Sequence, residues 1–142
     1  MKKLLPLLMV FLAACNTTVS KDEMAGIDYG PKPTRWREEI KSYLSLRLTD
    51  PKDAIVEFRT EPQQIYQRST PFREKQWGWG VCLWINDKNK AGAYDGFFPM
   101  SILIRDEKIV FVNGGPDDAN VIGARYSREQ CERLGAPFIQ LR

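Results

Sequence analysis

Residues 76–86 read QWGWGVCLWIN, and no other stretch of the chain limits the possible fold as strongly. Large side chains occupy every second position. They are Trp77, Trp79, Val81, Leu83 and Ile85, and they alternate with Gly78, Gly80, Cys82 and Trp84. Alternation with a period of two over nine residues is typical of a β-strand that presents one face to the core. The glycines leave the other face nearly bare at one end, which predicts the close approach of a helix or another backbone there.

A helix is predicted before this strand and a shorter helix near the C-terminus. In residues 34–51, apolar side chains recur at intervals of three and four, which places them on one helical face. These residues are Trp36, Ile40, Tyr43, Leu44 and Leu48. Thr34 is a suitable N-cap, and Asp50 followed by Pro51 is a suitable end. Later, the sequence from Ser127 to Gln130 matches a capping box, and Gly135 suits the position just after a helix.

Short apolar runs predict further strands at residues 54–59, 97–105 and 108–112. The last two runs are close enough to form a hairpin. Residues 60–76 are predicted to form a loop or an irregular edge, from which Ile65 and Tyr66 pack back onto the domain. The order of these elements predicts an α+β fold, in which an N-terminal helix packs on a small antiparallel sheet and a short C-terminal helix follows.

The chain begins with MKKLLPLLMVFLAAC, which has the layout of a targeting segment. Two lysines precede an apolar run that is too short to span a bilayer, since that requires roughly 20 residues. The sequence Leu-Ala-Ala-Cys at 12–15 resembles the lipobox of bacterial lipoproteins, in which the cysteine thiol accepts a lipid and the peptide is cut just before it. The alternative is an ordinary signal peptide followed by an unrelated cysteine. We expect a signal peptide at 1–14, lipidation at Cys15, a flexible tether at 15–33 and one domain at 34–142.

Charge and composition exclude several functions. Removal of Lys2 and Lys3 with the signal peptide lowers the formal net charge from +3 to +1, which leaves no basic surface suited to nucleic acid. The chain has no histidine, which excludes Ser-His-Asp and Cys-His catalysis and removes the commonest zinc ligand. We therefore expect no enzymatic activity, no metal and no cofactor.

Three cysteines occur, at positions 15, 82 and 131. If Cys15 carries a lipid, an even pair remains in an oxidising compartment, which favours a disulfide between Cys82 and Cys131. Such a bond closes a loop of about 50 residues and contributes about 3 to 4 kcal/mol on the chain-entropy model. The alternative is two separate buried thiols.

The turn-rich stretch NDKNKAGAYDG at 86–96 is the most distinctive internal feature. Together with the preceding tryptophan, it supplies the predicted binding residues, which are Trp84, Asn86, Asn89 and Tyr94. Asn86, Asp87, Asn89 and Asp95 offer oxygen atoms to calcium, but their spacing does not match an EF-hand loop. The alternative is that Asn, Asp and Gly are present because they tolerate tight turns.

Tryptophans and paired carboxylates each allow two interpretations. Trp77 and Trp79 could bind sugars or peptides, but their position on the bulky face of the strand favours a role in the core. Trp84 points the other way and either packs under a helix or lies exposed at an interface. Two facing carboxylates could serve a glycosidase, but the pairs at 106–107 and 117–118 fall in a predicted hairpin tip and an exposed loop, where solubility explains them.

The internal block also resembles one found in small, uncharacterised lipoproteins of proteobacteria. The shared features are Tyr29-Gly30-Pro31, Asp50-Pro51, Asn86, Lys88, Asn89, Gly92, Tyr94 and Gly96. This resemblance brings no known activity and implies an envelope domain. Asn16 after the lipobox, in place of an aspartate, favours the outer membrane, facing the periplasm. We expect a binding or scaffolding role with an envelope protein as partner. The alternatives are an inhibitor or ligand-binding module acting on a cell-wall enzyme or glycan, and a small hydrolase.

Overall fold

The computed structural model describes residues 19–115 and 121–139. Along these residues two helices are followed by five consecutive strands and then by a third helix. The helices are α1 (Lys21–Ala25), α2 (Trp36–Ser45) and α3 (Val121–Arg133), and the strands are β1 (Ile55–Phe58), β2 (Gln63–Gln67), β3 (Gln76–Asn86), β4 (Phe98–Arg105) and β5 (Lys108–Asn113). None of the helices among the described residues is long and apolar enough to cross a membrane.

The long strand β3 organises one antiparallel sheet. One of its edges pairs with β2 along residues 76–80 and with β1 along residues 83–86, while its other edge pairs with β4, and β5 pairs with β4. The strand predicted from the alternating pattern is therefore the centre of the sheet. The predicted loop at 60–76 contains strand β2, because Ile65 and Tyr66 are buried against the domain and bring the backbone into register with β3.

Helix α2 lies on the face of the sheet that carries the bulky side chains of β3. Its residues Trp36, Ile40 and Leu44 are buried. They join one apolar cluster with Leu48, Val81, Leu83, Ile85, Met100, Ile102 and Ile104. The helix ends at Ser45, earlier than the predicted end at Asp50, although Leu48 beyond it still packs into the cluster. Thr34 lies two residues before α2 rather than at its N-cap, which is Arg35.

Helix α3 lies on the opposite face, above the glycines of β3. The second apolar cluster contains Ile65, Cys82, Leu103, Cys131 and Leu134. A Cβ atom added to Gly80 would lie 2.9 Å from Ile65 Cγ2 and 3.3 Å from Leu134 Cδ2, so the bare face admits the close approach that the pattern predicts. The sulfur atoms of Cys82 and Cys131 lie 2.05 Å apart and link β3 to α3.

The expected class, helices with an antiparallel sheet and a C-terminal helix, is confirmed. The predicted start of the last helix at Ser127 is wrong. Helix α3 begins at Val121, so Ser127 lies inside it and its hydroxyl donates to the carbonyl oxygen of Ala124 at 2.9 Å. Gln130 does not reach back to a cap, because its amide donates to Gln67 on β2 instead.

Part of the segment expected to be a tether carries regular structure. Ser20 caps α1 by accepting a hydrogen bond from the backbone N–H of Glu23 at 3.1 Å, and Glu23 forms an ion pair with Arg68 beyond β2. Tyr29 is buried, and Trp79 Nε1 donates to its carbonyl oxygen at 3.1 Å. The expected signal peptide, Cys15 and the carboxylates at 117–118 lie outside the described residues.

Candidate functional site

The loop at residues 86–96 is held together by its asparagines. Asn89 Oδ1 accepts hydrogen bonds from the backbone N–H groups of Ala91 and Ala93, at 2.9 and 3.1 Å, and its amide donates to Asp95 at 3.0 Å. Asn86 Oδ1 accepts from the backbone N–H of Gly96 at 3.1 Å, which closes the loop. Short polar side chains commonly satisfy turn backbones in this way. Two of the predicted binding residues therefore shape the loop.

Tyr94 and Lys88 attach the loop to the segment before β1. The Tyr94 hydroxyl donates to the carbonyl oxygen of Asp53 at 2.7 Å, and Lys88 forms an ion pair with the Asp53 carboxylate. The hydrogen bond to Asp53 is the main reason that the pKa of Lys88 lies above its usual value. Tyr94 nevertheless keeps 46% of its surface exposed. Lys88 Nζ lies over the ring at 5.5 Å, and the part of the ring that stays exposed belongs to a side chain tied down at its hydroxyl.

Asp87 is the most buried polar residue of this region, and the sequence suggested it only as an oxygen ligand for calcium, not as a structural acceptor. Its carboxylate accepts hydrogen bonds from the backbone N–H groups of Thr49 at 2.6 Å, Asp50 at 3.1 Å and Lys88 at 2.9 Å. It therefore fixes the chain that leaves α2 to the start of the loop. A carboxylate directly after a buried strand was the available signal, since a buried acid needs several donors.

Trp84 lies apart from the three loop residues. It is half-buried on the α3 side of the sheet, where Phe138 contacts it edge-to-face at 5.1 Å and the Arg59 guanidinium covers its ring at 4.1 Å. Its indole N–H is buried and has no hydrogen-bond partner among the described residues. The structure therefore brings Asn86, Asn89 and Tyr94 together but places Trp84 in a separate aromatic contact.

The other tryptophans of β3 are also engaged. The ring of Trp77 lies near Arg105 Cζ at 3.9 Å and Lys75 Nζ at 4.9 Å, and the indole N–H of Trp79 donates to backbone carbonyls. Both are half-buried. The cations near the Trp77 ring compete with any sugar or base that would stack on it.

Of the two carboxylate pairs considered in the sequence, the pair at 106–107 lies within the described residues. Glu107 binds the backbone that enters α2, and Asp106 lies beside it at the tip of the β4–β5 hairpin. Within residues 19–115 and 121–139, no group of three or more His, Cys, Asp or Glu side chains is arranged to hold a metal ion. The oxygen of Asn89, considered above for calcium, is occupied by two backbone N–H groups.

A cleft of about 390 Å³ lies between the α1 segment, β2 and the end of α3. We call it the α1 cleft. Its lining is Val19, Met24, Gln63, Gln64, Ile65, Arg133 and Leu134, which includes no carboxylate. Gln63 Nε2 donates to the carbonyl oxygen of Leu134, and Arg133 donates to that of Tyr66. Sequence reasoning missed this cleft because its three segments are far apart along the chain.

Comparisons with protein-family models, curated proteins and solved structures found no match to this chain. The interpretation of the site therefore depends on its own geometry and on the sequence.

Proposed function

We propose that this protein is a lipoprotein of the bacterial cell envelope, anchored through a lipid on Cys15, whose folded domain binds another envelope component. The domain is a single α+β unit, with an N-terminal helix packed on a small antiparallel sheet. The observation that carries the proposal is the pairing of Cys82 with Cys131 at bonding distance. Disulfides persist in oxidising compartments such as the periplasm. This pairing agrees with the export signal and leaves Cys15 as the remaining cysteine for acylation.

The binding surface in this proposal is the loop at residues 86–96. Its residues from Lys90 to Gly96 are exposed, while the hydrogen bonds of Asn86, Asn89 and Asp87 hold its backbone in one shape. A preorganised loop loses little conformational entropy on binding, which favours recognition. Its role is non-enzymatic binding or scaffolding with a protein partner. Asn16 favours attachment to the outer membrane, on its periplasmic side.

The same loop favours the second candidate, an inhibitor or ligand-binding module acting on a cell-wall enzyme or glycan. The specific observation is the exposed ring of Tyr94, whose hydroxyl is fixed to Asp53. Rigid aromatic side chains that stand out from a loop serve as anchors in protein and sugar recognition. The two candidates differ in the molecule that the loop contacts, and the crosslinking experiment below separates them.

The anchoring part is tested by Cys15→Ser in cells that express the full chain. We expect loss of labelled palmitate incorporation, an unprocessed precursor and loss of the acyl mass from the protein. The matched control is Cys82→Ser together with Cys131→Ser, which removes two other cysteines and leaves palmitate incorporation intact. Unchanged processing and membrane fractionation of Cys15→Ser would contradict the proposal.

The binding part is tested by in-cell photo-crosslinking from a photoreactive amino acid at Ala91, in the exposed part of the loop. The control places the same group at Leu46, which is 83% exposed and lies beyond the end of α2. We expect one defined protein adduct from Ala91 that is absent from Leu46. An adduct with a cell-wall enzyme or glycan supports the second candidate. The same adducts from both positions would remove the loop as an interface.

A further inference from the structure

The α1 cleft lies close to the proposed lipid along the chain. Only Asn16, Thr17 and Thr18 separate Cys15 from Val19, which lines the cleft. A fully extended chain advances at most roughly 3.6 Å per residue, so the two Cα atoms are no more than about 14 Å apart. The cleft therefore lies within a short reach of any lipid attached at Cys15.

From Val19 onward the chain is bound to the domain. The side chain of Arg68 donates to both carboxylate oxygens of Glu23, Met24 lines the cleft, and Trp79 Nε1 donates to the carbonyl oxygens of Tyr29 and Gly30. Because α1 is attached in this way, the domain cannot rotate freely about residues 20–33. A short link to the lipid then restricts which surface of the domain faces the bilayer.

The chemistry of the α1 cleft suits a phospholipid surface. Four apolar side chains, those of Val19, Met24, Ile65 and Leu134, line it together with two glutamine amides and the Arg133 guanidinium. Gln63 and Arg133 each donate one hydrogen bond to a backbone carbonyl oxygen, and their other N–H groups, together with the Gln64 amide, are of the type that donates to phosphate oxygens. Val19 and Met24 are only half-buried, and apolar side chains of this kind gain from contact with the boundary between headgroups and acyl chains. Ile65 and Leu134 are instead buried in the second apolar cluster. Since no carboxylate lines the cleft, it presents no charge that repels phosphate.

We propose that the α1 cleft contacts the phospholipid headgroups of the membrane that holds Cys15, which fixes the orientation of the domain. This inference rests on the proposed lipid anchor. The loop at 86–96 then lies at the membrane-distal end. Gln64 is opposite Trp79 on β3, seven residues before Asn86, which corresponds to about 23 Å along the strand at roughly 3.3 Å per residue. The domain thus presents its candidate binding loop away from the bilayer.

Fluorescence quenching on vesicles tests this orientation. The acylated full-length product carries a fluorophore on a new cysteine, from either Gln64→Cys in the cleft or Lys90→Cys in the loop, both exposed positions. It is reconstituted in vesicles of phosphatidylethanolamine and phosphatidylglycerol that contain a nitroxide-labelled headgroup. We expect several-fold stronger quenching at Gln64→Cys than at Lys90→Cys. Equal quenching at both positions, or stronger quenching at Lys90→Cys, overturns the proposal.

A longer link provides the second variant. About ten Gly-Ser residues inserted between Thr18 and Val19 leave the lipobox unchanged and add a root-mean-square reach of about 17 Å. Because headgroup contacts hold the cleft at the membrane, we expect part of the quenching at Gln64→Cys to persist with the longer link. It should still exceed the quenching at Lys90→Cys. Quenching that becomes equal at the two positions would mean that no such contact exists. Mass spectrometry of the same samples separates the two proposals, because an unacylated Cys15 removes both, whereas an acylated protein with equal quenching removes the orientation alone.

Discussion

The Glu107 carboxylate accepts hydrogen bonds from Thr34 and Arg35 at the start of α2, although Glu107 lies 73 residues from Thr34 in the sequence. Its Oε1 accepts hydrogen bonds from the backbone N–H and the hydroxyl of Thr34, at 2.7 and 3.0 Å, and its Oε2 accepts from the backbone N–H of Arg35 at 2.9 Å. Arg35, the N-cap residue, makes no side-chain capping hydrogen bond of its own. The tip of the β4–β5 hairpin therefore supplies hydrogen-bond acceptors to backbone N–H groups at the N-terminal end of α2, which packs on the sheet.

This contact makes part of the stability depend on pH. The hydrogen bonds from the backbone of Thr34 and Arg35 hold the pKa of Glu107 below its usual value of 4.5. A group whose pKa is lowered by folding contributes stability above its unfolded pKa, and that contribution is lost as the pH falls through the folded pKa. We expect Glu107→Gln to lower Tm at pH 7. As the pH falls below about 4.5, the Tm of this variant should decrease less than the Tm of the wild type.

Calorimetry between pH 7 and pH 3 measures this difference. Glu38→Gln is the matched control, because Glu38 lies in the first turn of α2 and is exposed. Its pH profile should follow that of the wild type more closely than Glu107→Gln does. Parallel Tm profiles for the wild type and Glu107→Gln would show that the Glu107 contact does not stabilise the fold.

The link between Cys82 and Cys131 predicts a large effect on stability. The cysteines are 49 residues apart in the sequence and both are fully buried. Removing the cross-link restores entropy to the unfolded chain, so Cys82→Ala with Cys131→Ala should lower the free energy of unfolding by about 4 kcal/mol. Urea denaturation measures this loss of the free energy of unfolding. The difference between the wild type and the double variant should become smaller when the disulfide of the wild type is reduced. Because both sulfur atoms are buried in the folded protein, the check is alkylation in urea, and two thiols that react with iodoacetamide in the unfolded, unreduced wild type would contradict the link.

Gly80 tests the close packing of α3 on the sheet. Alanine at this position would bring its Cβ to 2.9 Å from Ile65 Cγ2 and 3.3 Å from Leu134 Cδ2. Because Ile65 is β-branched and stiff, we expect Gly80→Ala to reduce the free energy of unfolding by about 1–3 kcal/mol. Gly26→Ala is the control, since its nearest contact would be at 3.7 Å. Equal midpoints in urea for the two variants would show that Ile65 on β2 and Leu134 after α3 can move aside at little cost.

Local periodicity was sufficient to predict the central strand and the difference between its bulky face and its bare face. The alternation around Gly80 indicated which side of β3 carries the bulky side chains and which side admits a close neighbour, because side chains in a strand point alternately to opposite faces, but it did not identify that neighbour as α3. The same kind of signal failed at Ser127, where a capping box occurs inside α3. A local motif cannot determine where a helix starts when tertiary contacts, here Gln130 with Gln67, favour a longer one.

The sequence pattern could not predict contacts between segments that are far apart along the chain. The partners of Thr34 and Asp87 lie 73 and up to 38 residues away, and no periodicity connects them. The α1 cleft likewise needs Met24, Gln64 and Leu134 to meet. For the candidate site, the sequence indicated the loop and three of its residues. It placed Trp84 on the face of β3 opposite the bulky side chains, where the structure has it, but it could not show that Arg59 and Phe138 cover the ring and separate it from the loop.

Asn89 allows a test of whether the ordered conformation of the loop at 86–96 matters for its proposed role in binding. Asn89→Ala removes the acceptor of the Ala91 and Ala93 backbone N–H groups and the donor to Asp95. We expect faster amide hydrogen exchange confined to residues 89–96, with a loss of global stability of about 0.5–1.5 kcal/mol, the usual net worth of a hydrogen bond. Exchange followed by mass spectrometry measures the first effect, and urea denaturation measures the second.

The control for this prediction is Lys90→Ala, at the adjacent exposed position in the loop. It should leave the exchange of Ala91 and Ala93 unchanged. If the loop binds a partner through its fixed shape, Asn89→Ala should also weaken photo-crosslinking from Ala91, because the loop then has to be ordered on binding. Faster exchange with undiminished crosslinking would mean that the partner recognises the loop without its ordered conformation, and unchanged exchange would mean that other contacts hold the loop.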